Sequence, residues 1–272
     1  MKQRLPRFAW RALEIGPLRS LRVKYFLEIF AGTGRLGAAM SRRGSYTLLI
    51  DIEFGPAYDV TKEALQVLIR GWIASGFIEG LHLGLPCDSF SRARDRRPGS
   101  PPLRSDALPL GLPDLRDADR QKVERGNRLL KFSVGLLVQC SRRGIPATLE
   151  NPWTSRVWIT PSMKWLVKRK ETALFRTDFC MWGRPHRKAT YFLGSNIDLS
   201  AAFEGNVCQG APRGLCARTG RPHHVLAGTD ANGQFLTKLA EPYPINMCNA
   251  IARTFGTTSL RTRHRRLMEL LL

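Results

Sequence analysis

Pro86-Cys87 and Glu150-Asn151 are the residue pairs in this sequence with the most chemistry to offer. Cys87 follows a short apolar run from Ile78 to Leu85, and Glu150 follows another from Ile145 to Leu149. Runs of that length bounded by turn residues predict buried strands, and open parallel sheets gather their ligands at the carboxyl ends of their strands. The two side chains should therefore emerge at one edge, a thiol that is nucleophilic once ionised and a carboxyl that can hold or give a proton. Arg92 and Arg94 follow closely and would favour the thiolate if they faced it. A small buried apolar side chain is the competing reading for any cysteine. Phe30-Ala31-Gly32-Thr33-Gly34 lies between a strand and a helix, where glycines admit a ligand close to the backbone and a helix N-terminus offers unpaired N–H groups. Asp51 ends the next strand, 17 residues after Gly34, placed either to accept hydrogen bonds from ribose hydroxyls or to cap a turn.

The elements that must position these residues alternate. Apolar runs at Lys24–Phe30, Tyr46–Ile50 and Ile78–Leu85 predict strands, and helical patterns at Arg35–Met40, Thr61–Ser75 and Ala118–Ser141 predict helices between them. Such alternation predicts a parallel sheet with crossover helices. Two more strands, Leu174–Cys180 and Thr190–Leu193, flank a turn at Trp182-Gly183-Arg184-Pro185, and Ile245–Phe255 reads as a last helix. From Asp88 to Asp117 the pattern dissolves into Ser, Arg and Pro, a stretch expected to be functional or disordered.

The chain has 272 residues, with 43 basic against 22 acidic side chains, a net charge of +21. One main domain is expected at that length. The charge favours a polyanionic partner, nucleic acid ahead of a membrane surface, and no apolar run reaches the roughly 18 residues that a membrane span requires. The first 25 residues carry seven Lys or Arg against one acid, Glu14. A targeting peptide, a phosphate-binding arm and a solvated terminus all remain open for them. The six cysteines contain no CxxC pair and read as reduced thiols inside a cell.

Several of these segments, in order, resemble the motifs of the cytosine-5 DNA methyltransferase family. Phe30-Ala31-Gly32-Thr33-Gly34 is similar to its cofactor motif, Pro86-Cys87 to its nucleophile motif and Glu150-Asn151 to its Glu-Asn-Val motif. Gly183 to Lys188 with Tyr191 to Gly194 resembles the strand pair bearing a Gln-x-Arg-x-Arg signature, and Tyr243 to Ala252 resembles the last motif, whose helix returns to the cofactor. The resemblance implies an α/β, Rossmann-like class I methyltransferase fold with a small loop-rich C-terminal recognition region. Its parts would be a basic arm over 1–24, a catalytic domain over 25–195, a reduced target-recognition region over 196–240, a returning helix over 241–260 and a basic tail over 261–272. It further implies methyl transfer from S-adenosylmethionine to carbon 5 of cytosine, with base flipping, in DNA ahead of RNA, by a monomer. Nuclear location would follow in a eukaryote, and cytoplasmic location in a prokaryote or for a viral protein. In this scheme Cys87 is the nucleophile, Glu150 the acid, and Lys188 a further catalytic group. Phe30, Gly32, Gly34, Asp51, Asp59, Pro86 and Asn249 line the cofactor, while Arg92, Arg94, Arg96, Arg97 and Arg187 meet the nucleic acid.

The sequence departs from the family at informative places. Asp88 stands where Gln usually follows Pro-Cys and sets an anion beside the thiol. In the arginine signature His186 replaces Gln, Lys188 the first Arg and Thr190 the second, so a planar bidentate contact is lost. An RNA substrate, or a binding module that keeps the fold without catalysis, are the alternatives. Asn151-Pro152-Trp153 slightly resembles an amino-methyltransferase motif but lacks its second proline. Cys208, Cys216, His223 and His224, with Cys180 upstream, are the only metal candidates. Seven residues separate Cys208 from Cys216, more than the usual two to four of structural zinc sites, so no metal is expected.

Overall fold

The computed structural model describes residues 9–13, 23–95, 101–210, 214–226, 228–229, 231–232 and 235–271, with side chains left aside at 9, 10, 93, 94 and 259–271. Its strands are β1 (Ala9–Arg11), β2 (Tyr25–Ile29), β3 (Tyr46–Ile50), β4 (Ile78–Leu83), β5 (Ala147–Pro152), β6 (Thr172–Asp178) and β7 (Ala189–Ser195). They form one sheet in the order β1-β3-β2-β4-β5-β7-β6, parallel except for β7, which runs antiparallel to both neighbours. The helices are α1 (Arg35–Arg42), α2 (Glu63–Ala74), α3 (Asp117–Arg142), α4 (Pro161–Val167), α5 (Ser200–Phe203) and α6 (Ile245–Leu271). This is a Rossmann-like α/β fold, as the resemblance implies, and its largely parallel sheet with crossover helices is what the alternation of elements predicts. The chain leaves β2 toward β3 and then crosses back to β4, so strand order reverses between β2 and β4. That reversal opens a crevice at the carboxyl ends of the two strands.

Period-2 alternation divides the core. Tyr25, Leu27 and Ile29 of β2, with Leu81 and Leu83 of β4, pack among residues of α2, α3 and α4 such as Ile69, Ile73, Leu136 and Met163. Phe26 faces the other way, onto Leu36 and Met40 of α1 and Ile251 and Phe255 of α6. Phe26 and Phe255 meet edge to face at 5.0 Å. The positions alternating with the first set hold buried polar groups: Glu28 on β2, His82 on β4, and Thr148 and Glu150 on β5. A row of titratable groups thus crosses the sheet on the face toward α1 and α6.

Several expectations need correction. The N-terminal region is not only a basic arm, since Ala9–Arg11 adds a parallel edge strand to β3. The parallel sheet carries one antiparallel strand, because β6 and β7 form a hairpin. Helix α4 has a Pro at its first turn and was hidden by its brevity. The last helix continues beyond Phe255 to Leu271, so the basic cluster from Arg261 to Arg266 is helical in its backbone. Among the described residues no helix is long and apolar enough to cross a membrane.

The segment between β4 and α3 has little regular structure, with a 3-10 turn at Arg92–Asp95, yet it is firmly tied. Arg104 is 1% exposed and donates to the carbonyls of Ser89, Pro109 and Val123, to Ser89 Oγ and to Asn127 Oδ1. Its guanidinium also lies 3.7 Å from the centre of the Phe90 ring. Arg156, which follows β5, makes a bidentate pair with Asp95 at 3.0 and 2.6 Å and reaches Asp106 at 3.2 Å. The loops after β4 and β5 are thereby bound to each other.

Candidate active site

β4 delivers Cys87 and β5 delivers Glu150 to the same edge, as the ends of the two apolar runs require. Asn151 Nδ2 donates to Leu85 O at 2.7 Å and locks the two strand ends together. The hairpin then brings in Lys188, whose Nζ lies 3.3 Å from Glu150 Oε1 and 4.8 Å from the Phe179 ring centre. Burial pushes the Cys87 thiol up to about 11; the Lys188 ammonium pulls against this, while Glu150 and Asp88 add to it. The cation that lowers the thiol is therefore Lys188. Arg92 instead donates to Thr154 O at 2.9 Å and pairs with Asp106 at 2.7 Å.

Glu150 is the centre of a hydrogen-bonded chain. The Tyr243 hydroxyl donates to Glu150 Oε2 at 3.1 Å and also meets His82 Nε2 at 3.1 Å, while His82 Nδ1 meets Thr148 Oγ1 at 2.8 Å. With Tyr243 donating to Glu150, His82 carries its hydrogen on Nε2 and Thr148 donates to Nδ1. Thr190 Oγ1 contacts Glu150 Oε1 closely and lies 2.9 Å from Asn151 O. The single hydroxyl hydrogen of Thr190 is thus placed between two acceptors, Glu150 Oε1 and Asn151 O. Burial holds the His82 imidazole down to about 3 and raises the Tyr243 phenol well above its usual range.

The glycine loop sits across the crevice. Phe30, Gly32 and Gly34 all have positive φ, at 59°, 49° and 63°. Gly32 faces open space, and α1 begins after Gly34 with no side-chain cap on its first turn. Asp51 accepts from Gly32 N at 2.7 Å and Glu53 N at 2.9 Å, so it caps the turn after β3 and props the glycine loop at once. Asp59 accepts from Thr61 N and Oγ1 and lies 3.8 Å from Arg125; these groups outweigh its burial and lower its carboxyl. Pro86 precedes Cys87 across from this loop. At Gly84 a Cβ would stand 2.9 Å from Phe30 O and 3.1 Å from Tyr243 Oη, so only glycine lets β2, β4 and Tyr243 converge.

Other residues singled out by sequence lie elsewhere. Asn249 accepts from Arg42 at the far end of α1, about 12 Å along that helix from Gly34. Arg187 is tied to Asp178 Oδ1 and Cys208 O. The side chain of Arg94 and all of Arg96 and Arg97 fall outside the described residues, as do 1–8 and 14–22 of the N-terminal arm. His186 is buried with no partner for Nε2 among the described residues, and His224 is exposed. Cys208, Cys216 and His223 come together with Cys180, and His224 is not one of this group.

Glu28 and His82 were not singled out by sequence reasoning, and Tyr243 entered it only as the first residue of the last motif. The available signal for Glu28 and His82 was a polar residue at one alternate position of an otherwise apolar strand. Burial pushes the Glu28 carboxyl up to about 8, against a Gly37 N–H bond that lowers it and with the Asp51 charge adding to the rise. Between about 4.5 and 8 the folded chain keeps a proton that the unfolded chain has released, so stability falls as pH rises through that window. Glu28→Gln should therefore match the parent at pH 4.5 and exceed it at pH 8.5, by on the order of 5 kcal/mol in urea unfolding. Equal stabilities at pH 8.5 would show that the carboxyl is ionised without penalty.

No family model and no curated protein matches the sequence. Among solved structures the chain is similar to the Entamoeba histolytica methyltransferase EhMeth, at 13% identity and a TM-score of 0.37, over 64% of this chain and 53% of that one. It is also similar to the S. pombe Dnmt2 methyltransferase, at 10% identity and a TM-score of 0.39, over 71% of this chain and 57% of that one. The chain thus spans a little over half the length of either.

Proposed function

We propose that this chain is an S-adenosylmethionine-dependent methyltransferase acting on carbon 5 of cytosine in a nucleic acid, DNA in the first instance, through a covalent bond to Cys87. The observation that carries the reading is the meeting of Cys87, Glu150 and Lys188 beside the glycine loop, where strand order reverses. The open space at Gly32, the uncapped first turn of α1 and the Asp51 carboxylate suit the amino acid and ribose parts of the cofactor. S-adenosylmethionine supplies the electrophilic methyl group when bound.

The chain's own residues prepare the base. Carbon 5 of cytosine becomes nucleophilic when the Cys87 thiolate adds to carbon 6 and electron density moves toward the ring nitrogen beside the carbonyl. A proton on Glu150 directed at that nitrogen stabilises the charge as it develops. Both states arise from one event, because a proton passed from Cys87 to Glu150 creates the thiolate and the acid together without changing net charge. It also removes one of the two anions that oppose thiolate formation. Lys188 stands beside both groups and favours the ionised sulfur. After methylation a water takes the carbon 5 proton, its electron pair re-forms the double bond between carbons 5 and 6, and the carbon–sulfur bond breaks to return the thiolate.

Incubation with S-adenosylmethionine and oligonucleotides carrying 5-fluorocytosine tests this reading, since fluorine cannot leave as a proton does. The expected result is a denaturant-stable adduct with DNA that maps to the Cys87 peptide. An adduct with RNA alone would move the substrate class. No adduct with either, while calorimetry registers S-adenosylmethionine, would overturn the covalent reading.

A further inference from the structure

Below the β6–β7 hairpin the structure gathers four side chains that the proposed reaction does not use. The ligating atoms of Cys180, Cys208, Cys216 and His223 all lie within 4.8 Å of one another. They come from three separate places: the turn after β6, the segment after α5, and a tight loop closed by the Leu215 and Pro222 bridge. The three thiols are almost wholly buried, and together with Met181 they make up a small core of their own. Further along the chain Val225 and Phe235 are exposed. Among the described residues this cluster packs with no larger apolar side chain than Met181, and small loop-rich segments of that kind are held by metals or disulfides. All six cysteines are free.

We propose that Cys180, Cys208, Cys216 and His223 bind one Zn2+ ion as three thiolates and one imidazole, and that this ion anchors residues 206–210 and 214–224 to the β6–β7 hairpin. Zinc–sulfur bonds of about 2.3 Å and zinc–nitrogen bonds of about 2.0 Å in a tetrahedron set neighbouring ligand atoms roughly 3.6–3.8 Å apart. Cys208 Sγ and His223 Nε2 are 3.7 Å apart. His223 Nδ1 lies 3.2 Å from Gly214 O, the outer hydrogen bond that fixes the hydrogen on Nδ1 and points the Nε2 lone pair inward. Ala217 N donates to Cys208 Sγ at 3.4 Å, a bond suited to a thiolate. The ligand backbones are also fixed. Arg218 Nε donates to Cys180 O, Arg187 donates to Cys208 O, Cys208 N donates to Asp178 Oδ2, and Cys216 N donates to Arg221 O. A sulfur-rich tetrahedral set selects zinc over hard cations such as magnesium or calcium. The ion releases thiol protons on binding and leaves the site with one net negative charge, close to Arg187 and Arg218.

The test uses the full chain, purified under reducing conditions without a metal-affinity step. Elemental analysis should find about one zinc per chain. Exchange with Co2+ should give the intense visible bands and thiolate charge transfer of a tetrahedral sulfur-rich site. Cys216→Ser and His223→Ala should lose or change that spectrum, whereas His224→Ala, whose ring is exposed, should keep it. Should the first two variants fail to fold, the cobalt spectrum of the parent and of His224→Ala still decides. A folded parent chain that carries no zinc and gives no tetrahedral cobalt spectrum overturns the proposal. So does a disulfide among Cys180, Cys208 and Cys216 found by mass spectrometry of the chain purified without reductant. The inference stands apart from methyl transfer, since metal content is read without any activity.

Discussion

Cys87→Ser should lower methyl transfer to cytosine by at least about a thousandfold, because a serine hydroxyl in the same place ionises far less readily than a thiol. S-adenosylmethionine affinity should be unchanged, since the proposed cofactor loop lies across the crevice. The pH dependence follows from the thiol's position at about 11. Below that value each unit of pH raises the thiolate fraction tenfold, so alkylation of Cys87 by iodoacetamide should climb steadily from pH 7 toward pH 10. Lys188→Met removes the one neighbour that favours the ionised sulfur, and it should lower both alkylation and transfer by roughly 10 to 100-fold at fixed pH. Peptide-resolved mass spectrometry reads alkylation, and a tritiated methyl group reads transfer. A Cys87 alkylation rate that is flat above pH 7 would mean that the thiol is already ionised. Unchanged reactivity in Lys188→Met would separate that residue from the nucleophile.

Arg104→Leu should destabilise the folded chain by about 3–5 kcal/mol, the range expected when a buried charge hub is broken. Three carbonyls, the Ser89 hydroxyl and Asn127 Oδ1 lose their donor in one step. Arg104→Lys should recover only part, since an ammonium cannot reproduce the planar fork that spans Ser89, Val123 and Pro109. Gly126 shows how tightly the site is built, because a Cβ there would stand 2.7 Å from Ser89 Oγ and 3.0 Å from the Arg104 guanidinium. Urea unfolding gives the magnitude, and limited proteolysis between 101 and 116 shows whether the loss is local. A change below about 1 kcal/mol would mean that water replaces the lost donors at little cost.

The strands that carry Cys87 and Glu150 were legible because continuous apolar runs ending in Pro or Asn leave little choice of element. The convergence of the two residues followed from parallel pairing, and β4 does pair with β5 in that sense. The acid-base partners of Glu150 were less legible because Tyr243 reaches it across 93 positions of chain and His82 looked like an isolated polar residue within a strand. Local spacing argued against a metal, yet the fourth ligand of the proposed site is Cys180, 28 residues before Cys208 with none of the other ligands between, and the turn after β6 brings it near. Arg92 illustrates the opposite error. Its nearness to Cys87 in sequence suggested electrostatic help, but Asp106 and Thr154 hold it elsewhere.

β1 has only three residues, and its hydrogen bonds to β3 add little to the stability of the sheet. Its effect lies between molecules. Without it, Tyr46–Ile50 would present a bare row of backbone donors and acceptors at the sheet's outer flank, a template for pairing with another copy. Ala12 N also bonds to Leu49 O, carrying the cover one residue further along that flank. This short segment acts as a guard on colloidal behaviour, so trimming it would cost dispersion in solution before it cost the fold.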